Sequence, residues 1–193
     1  MTTSYAFHYD GDRRVMHQEA VGDVWSPERA VEAVGSADWV YVAALTRSDF
    51  PVDTLAALAA GGRKLLVDAH GLVRTPALGP LVADARIGEA LRHVTILKLN
   101  DEEAEILAGG TDVAAVRGLH VPEVTLTLGS LGSLVVTEAV AEDITATPVD
   151  GPIDPTGAGD TFSAAYLDAR SRGIDPIEAA RRASRFVPDL IAV

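Results

Sequence analysis

The chain has 193 residues, 48% of them hydrophobic, a content that suits one compact domain with a sizeable core. A net charge of −12 argues against nucleic acid as a partner, and the absence of cysteine excludes disulfides, cysteine-ligated zinc and a thiol nucleophile. The longest apolar runs, such as 39–45, are too short to span a bilayer, and the start of the chain lacks the basic and apolar regions of a signal peptide, so the expected setting is cytoplasmic with no membrane partner.

Residues 4–9 and 13–19 alternate as two strands, and Asp10-Gly11-Asp12 between them has hairpin-turn chemistry. Ser26-Pro27-Glu28 supplies an N-cap, a proline at the first helical position and an acid in the first turn. A helix to about residue 34 follows, ended by Gly35. Strands are then expected over 39–45, 64–68, 94–99, 124–128, 134–137 and 144–149. Helices are expected over 51–60, 81–93, 101–108, 158–171 and 176–187. Near-continuous apolar strands alternating with amphipathic helices imply an α/β fold. Its sheet is doubly wound and mostly parallel, with helices on both faces and ligands at the carboxyl ends of the strands. The chain reads as one domain over 1–193, with a strand hairpin in 1–22 and a core in 23–193.

Because the acidic surface repels phosphates at long range, any phosphate site must be built locally from backbone N–H groups, metal ions or a few arginines. The run Asp154-Pro155-Thr156-Gly157-Ala158-Gly159-Asp160-Thr161-Phe162 meets that need. Small residues at 157–159 let the backbone approach a ligand closely and leave N–H groups facing outward at a helix start. Asp160, in the first turn, can take a proton from an attacking hydroxyl there. Alone, Gly-Ala-Gly-Asp is also a glycine-rich loop whose Asp suits the helix dipole. Asn100-Asp101-Glu102-Glu103 is likewise both a capping box and a pair of side chains able to order water around a phosphate-bound magnesium. Thr127-Leu128-Gly129-Ser130-Leu131-Gly132 is a turn between strands, or a side-chain-poor wall for a nucleotide. Arg74, after Asp68 and His70, either reaches a phosphate or acidic substrate or is a solvated loop residue. His70 reads as a loop histidine, and Trp25 and Trp39 as packing residues.

In this order and spacing the three motifs resemble the ribokinase-like, or PfkB-type, carbohydrate kinases, from about Thr2 to the C-terminus. The resemblance implies an ATP- and Mg2+-dependent transfer to a sugar or related polyol. In it, Asp160 is similar to the catalytic base, and Gly157, Ala158 and Gly159 to the anion hole. Asn100 and Glu103 match the magnesium-and-phosphate motif, and Thr127, Gly129 and Gly132 part of the nucleotide wall. Asp154 and Thr156 match positions that help hold a monovalent cation such as K+. The hairpin resembles part of a lid. Relatives begin with further strands and a Gly-Gly motif that this chain lacks, and they continue past Arg185-Phe186. The sequence therefore leaves open an active kinase and a shortened relative that binds a nucleotide or a partner. It also leads us to expect an exposed sheet edge, or the hairpin, as a route to self-association.

Overall fold

The computed structural model describes residues 3–10, 13–77, 79–149, 151 and 153–192. Two sheets are present. The smaller is an antiparallel hairpin of β1 (Ser4–Asp10) and β2 (Arg13–Ala20), as the alternation of 4–9 and 13–19 predicts. Gly11 and Asp12 of the expected turn lie outside the described residues.

The larger sheet has six strands in sequence order: β3 (Trp39–Val42), β4 (Lys64–Asp68), β5 (Ile96–Asn100), β6 (Glu123–Thr127), β7 (Ser133–Thr137) and β8 (Ala141–Ile144). The first four are parallel to one another, and the last two add antiparallel. Alternation splits each strand's side chains between two cores. Val40, Val42, Leu65, Val67, Leu97, Leu99, Val124 and Leu126 face one core with α1 (Pro27–Val34), α2 (Val52–Ala59), α4 (Ile87–Leu91), α5 (Asp101–Ala108) and α6 (Val113–Arg117). Leu66, Ile96, Val135 and Ile144 face the other, covered by α7 (Ala158–Ser171) and α8 (Pro176–Ile191). Helices thus cover both faces of a mostly parallel sheet, as expected. Among the described helices, none is long and apolar enough to cross a membrane.

Local rules account for most boundaries. Ser26 caps α1 by accepting from Arg29 N, and Gly35 closes it in a conformation with φ of 55°. Asn100 and Glu103 form a complete capping box on α5, which Gly109 ends in the left-handed region. Trp25 and Trp39 do pack: Trp25 stacks on Phe50, and Trp39 joins the α7-side core.

Four expectations need correcting, three of them because a specific contact outweighs local propensity. The strand expected over 39–45 ends at Val42. Beyond it Leu45 N and Thr46 N both donate to Asp49 Oδ2, and α3 (His70–Val73) packs against Ala44 so closely that a Cβ on Gly71 would lie 2.4 Å from Ala44 Cβ. The helix expected over 81–93 forms only as α4. Before it, Val82 N is tied to Val73 O, and the Asp84 side chain accepts from Arg86 N in competition with the helical backbone. The strand expected over 144–149 runs instead over β8, because its partner β7 begins at Ser133, opposite Ile144, and nothing remains to pair with. Helix α8 continues to Ile191 through Pro188, four residues beyond the expected end. Helices α3 and α6 are too short for periodicity to reveal.

Candidate active site

The first turn of α7 carries the centre of the site. Gly157 caps the helix with φ of 81°, a left-handed conformation that only glycine adopts without strain. The first amides of a helix have no intrahelical acceptor. Ala158 N donates to Pro155 O, whereas no described residue accepts from Gly157, Gly159 or Asp160 N. Asp160 is exposed and accepts a 3.0 Å hydrogen bond from the Tyr41 hydroxyl, from the end of β3. Burial, more than the neighbouring acids, pushes the Tyr41 phenol far above its ordinary value, so it remains a donor to that carboxylate. Upstream, Asp154 Oδ1 accepts from Thr156 N at 3.0 Å, and Asp154 N donates to Ile191 O, tying the loop to the end of α8.

Beside it, β5 ends in Asn100. Asn100 Oδ1 accepts from Glu103 N and Glu103 Oε2 accepts from Asn100 N, both at 2.8 Å. Glu103 is 1% exposed, and its other oxygen lies 3.4 Å from His70 Nδ1. Arg74 Nε donates to His70 Nε2, so the ring proton sits on Nδ1 and faces Glu103. Burial raises the Glu103 carboxyl, but the His70 hydrogen bond, the Lys98 charge and the Asn100 N–H together bring it below its ordinary value. His70 is therefore no loop histidine: it sits on α3 as the link between Arg74 and Glu103. Arg74 is not a solvated loop residue either, since its guanidinium also lies 5.8 Å from the Tyr5 ring of β1. The hairpin thereby touches the segment that supports the Asn100 motif, and Gln18 reinforces the contact by donating to Pro76 O.

Beneath α7, Asp68 and Lys98 are register partners at the ends of β4 and β5, and they form a buried ion pair of 3.1 Å. Burial pushes the Asp68 carboxyl up against the pull of Lys98. A Cβ placed on Gly159 would lie 3.2 Å from Lys98 Nζ, so the glycine lets the helix start rest directly on the ammonium.

On the far side, Thr127 is the register partner of Asn100, and its hydroxyl donates to Leu99 O at 3.1 Å. Gly129 to Leu131 form a single 3-10 turn. Gly132 has φ of 105°, and a Cβ there would meet Ile144 O at 2.0 Å, so no other residue fits. Ile144 in turn lines a polar cleft of about 290 Å³ with Thr145, Thr147, Arg181 and Ser184.

The fold thus brings the Asp160, Asn100 and Thr127 motifs to the carboxyl ends of neighbouring strands. It does not gather Asn100, Glu103, Asp154 and Thr156 into one cage: among the described residues no three His, Asp or Glu side chains cluster with metal-ligand spacing. Because both Glu103 oxygens face protein donors, this set fits a magnesium ion carried by phosphates and held through water, rather than one gripped directly. Sequence reasoning missed Tyr41, Lys98 and the role of His70. The one signal for Lys98 was a charged residue inside the otherwise apolar strand Ile-Leu-Lys-Leu.

Residues 2–186 match the family model for pfkB family carbohydrate kinases. Ribokinase of Bacillus subtilis (strain 168) is 28% identical over 180 residues, a match covering 93% of this chain and 58% of that protein. A pyrophosphate-dependent kinase in the ribokinase family, solved as a sulfate complex, shares the fold with a TM-score of 0.82 at 23% identity, over 97% of this chain and 68% of that one. Arabidopsis thaliana ribokinase, solved with ribose and ATP, shares it with a TM-score of 0.75 at 24% identity, over 97% and 62%. With the family model matching nearly its whole length, the chain belongs to the pfkB family of carbohydrate kinases.

Proposed function

We propose that this chain carries the nucleotide and catalytic part of an ATP-dependent kinase acting on a hydroxyl of a sugar or related polyol. The observation that carries this reading is Asp160, an exposed carboxylate at a helix start where, among the described residues, nothing accepts from the amides of Gly157, Gly159 and Asp160. Asp160 takes the proton of the acceptor hydroxyl as that oxygen attacks the terminal phosphorus of the donor. The amides of Gly157, Gly159 and Asp160 hold the charge that develops on the transferring group, and the nucleoside diphosphate departs as the leaving group. Tyr41 keeps the Asp160 carboxylate oriented. Thr127, Gly129 and Gly132 form one wall for the nucleotide, and the cleft beside Ile144 continues it. Magnesium bound by the donor phosphates would offset their charge, with Asn100 and Glu103 ordering its water. Asp154 and Thr156 are assigned to a monovalent cation such as K+. We read 1–22 as a lid and 23–193 as the core of one domain. An ATP-bound ribokinase among the structural relatives supports the choice of donor.

Replacing Asp160 with Asn should lower turnover by about two to four orders of magnitude while leaving ATP affinity nearly unchanged. The measurement is ATP consumption against a panel of sugars, polyols and nucleosides, with calorimetry for ATP. Full-rate turnover by the Asn variant would sink the assignment.

A second reading, a relative with weak turnover that binds a nucleotide or a partner chain, is favoured by the edge of the sheet. Among the described strands, β3 pairs only with β4, so its other side can accept a further strand, including one from a second copy. Light scattering alongside the same panel separates the two. Saturable turnover by a monomer supports the first, and acceptor-independent hydrolysis by an associated species supports the second.

A further inference from the structure

We propose that Lys98 is a positioning residue for phosphoryl transfer: its ammonium, held by Asp68 beneath Gly159, supplies fixed positive charge to the anion hole from inside the protein. This rests on the kinase reading above and adds to it a residue outside the three sequence motifs.

Three observations carry the inference. The first is geometry. Lys98 Nζ lies 3.1 Å from Asp68 Oδ2 on one side and 3.2 Å from the position of a Cβ on Gly159 on the other. Asp68 Oδ1 is turned away, accepting from His70 N. The pair is therefore a dipole whose positive end meets the start of α7, and it adds to the helix's own partial charge there. The second is composition. A Cβ at position 159 would press on the ammonium and require it to give by a few tenths of an ångström, so the glycine serves this contact as well as access to a ligand.

The third is the surplus of polar groups around the ammonium. Thr125, the register partner of Lys98, is 1% exposed, and its hydroxyl has no hydrogen-bond partner among the described residues. Ser163, one helical turn beyond Gly159, is also 1% exposed and lies beside the Tyr41 hydroxyl. A lysine buried only for stability is a poor investment of desolvation, since an apolar pair of similar volume does as well or better. A polar pocket with an unused hydroxyl, placed under helix-start amides, suits an electrostatic task. The charge also explains how so acidic a protein holds a polyphosphate: the attraction is local and internal.

The test uses Lys98→Met and the double variant Asp68→Asn/Lys98→Met. Calorimetry reads the affinity for Mg-ATP and for inorganic pyrophosphate, thermal unfolding reads stability, and kinetics separate kcat from the acceptor KM. The double variant carries no unpaired buried charge, so it should regain much of the midpoint lost by the single one. Both variants should bind the phosphate compounds about ten- to hundredfold more weakly, with kcat reduced and acceptor KM unchanged. If affinity returns together with stability in the double variant, Lys98 is only a structural partner of Asp68 and the inference is overturned. Unaltered affinity in Lys98→Met overturns it as well. Wild-type protein that binds no phosphate compound would instead remove the kinase reading, and this inference with it.

Discussion

Two buried charged clusters lie on the α7 side of the sheet, one near each end of the strands, and they are built differently. At the start of β6, Glu123 accepts from Arg170 Nε at 2.8 Å, from Arg170 Nη2 at 2.9 Å and from the Tyr166 hydroxyl at 2.6 Å. Arg170 spends a further donor on Ile174 O. The bidentate fork and the added phenol use the carboxylate from several directions, which locks α7 onto the sheet. At the other end Lys98 and Asp68 pair through a single 3.1 Å contact, next to the Thr125 hydroxyl, which has no partner among the described residues. A saturated network of buried charge serves stability. An unsaturated one at the carboxyl ends of the strands, below helix-start amides from which no described residue accepts at Gly157, Gly159 and Asp160, leaves capacity for a ligand.

The sharpest way to break this contrast is at Glu123. Replacing it with Ala strands Arg170 and Tyr166 and should lower stability by about 3–5 kcal/mol, measured by denaturant titration. In protein that remains folded, ATP affinity should hold. Lost affinity at full stability would show that the two ends of α7 are not separable. A smaller step is Tyr166→Phe, which removes one hydrogen bond to the carboxylate and should cost about 1.5–3 kcal/mol by the same titration. Burial pushes that phenol far above its ordinary value, so it stays a donor across the working range of pH.

At the other end, Asn100→Ala should cost roughly 1 kcal/mol, the usual worth of a helix cap. Calorimetry with and without magnesium then decides what else Asn100 does. Unchanged magnesium dependence would leave it as a cap alone. The smallest effect concerns pH. The folded Glu103 carboxyl lies below its ordinary value of 4.5, so the stability it adds is complete above that pH and is lost as pH falls through the folded value. Glu103→Gln keeps the capping box but removes this titration in a site also faced by His70, Lys98 and Asp68. The gap in stability between wild type and variant should therefore narrow as pH is lowered below 4.5. A constant gap would mean that Glu103 titrates alike in the folded and unfolded chain.

Where local chemistry decides, the sequence was enough. The Ser26 and Asn100 caps, the glycine stop at 109, the alternation of the hairpin and the apolar strands set most element boundaries and the α/β class. Gly157, Asp160, Asn100 and Thr127 could be named as candidate site residues because their motifs are contiguous in the chain. The limits fell where a distant partner intervened. Asp49 and Gly71 shorten the strand after Trp39, and Asp84 unravels the expected start of α4. Pairing with β7 moves β8 toward the N-terminus. Tyr41 and Asp160 are 119 residues apart in sequence and 3.0 Å apart in space. Lys98 looked like a stray charge in a buried strand until β4 placed Asp68 against it and α7 set Gly159 above it. Caps and periodicity act over a few residues and are therefore written in the sequence. The charge beneath the start of α7 exists only because parallel register and helix packing bring three separate elements to one point.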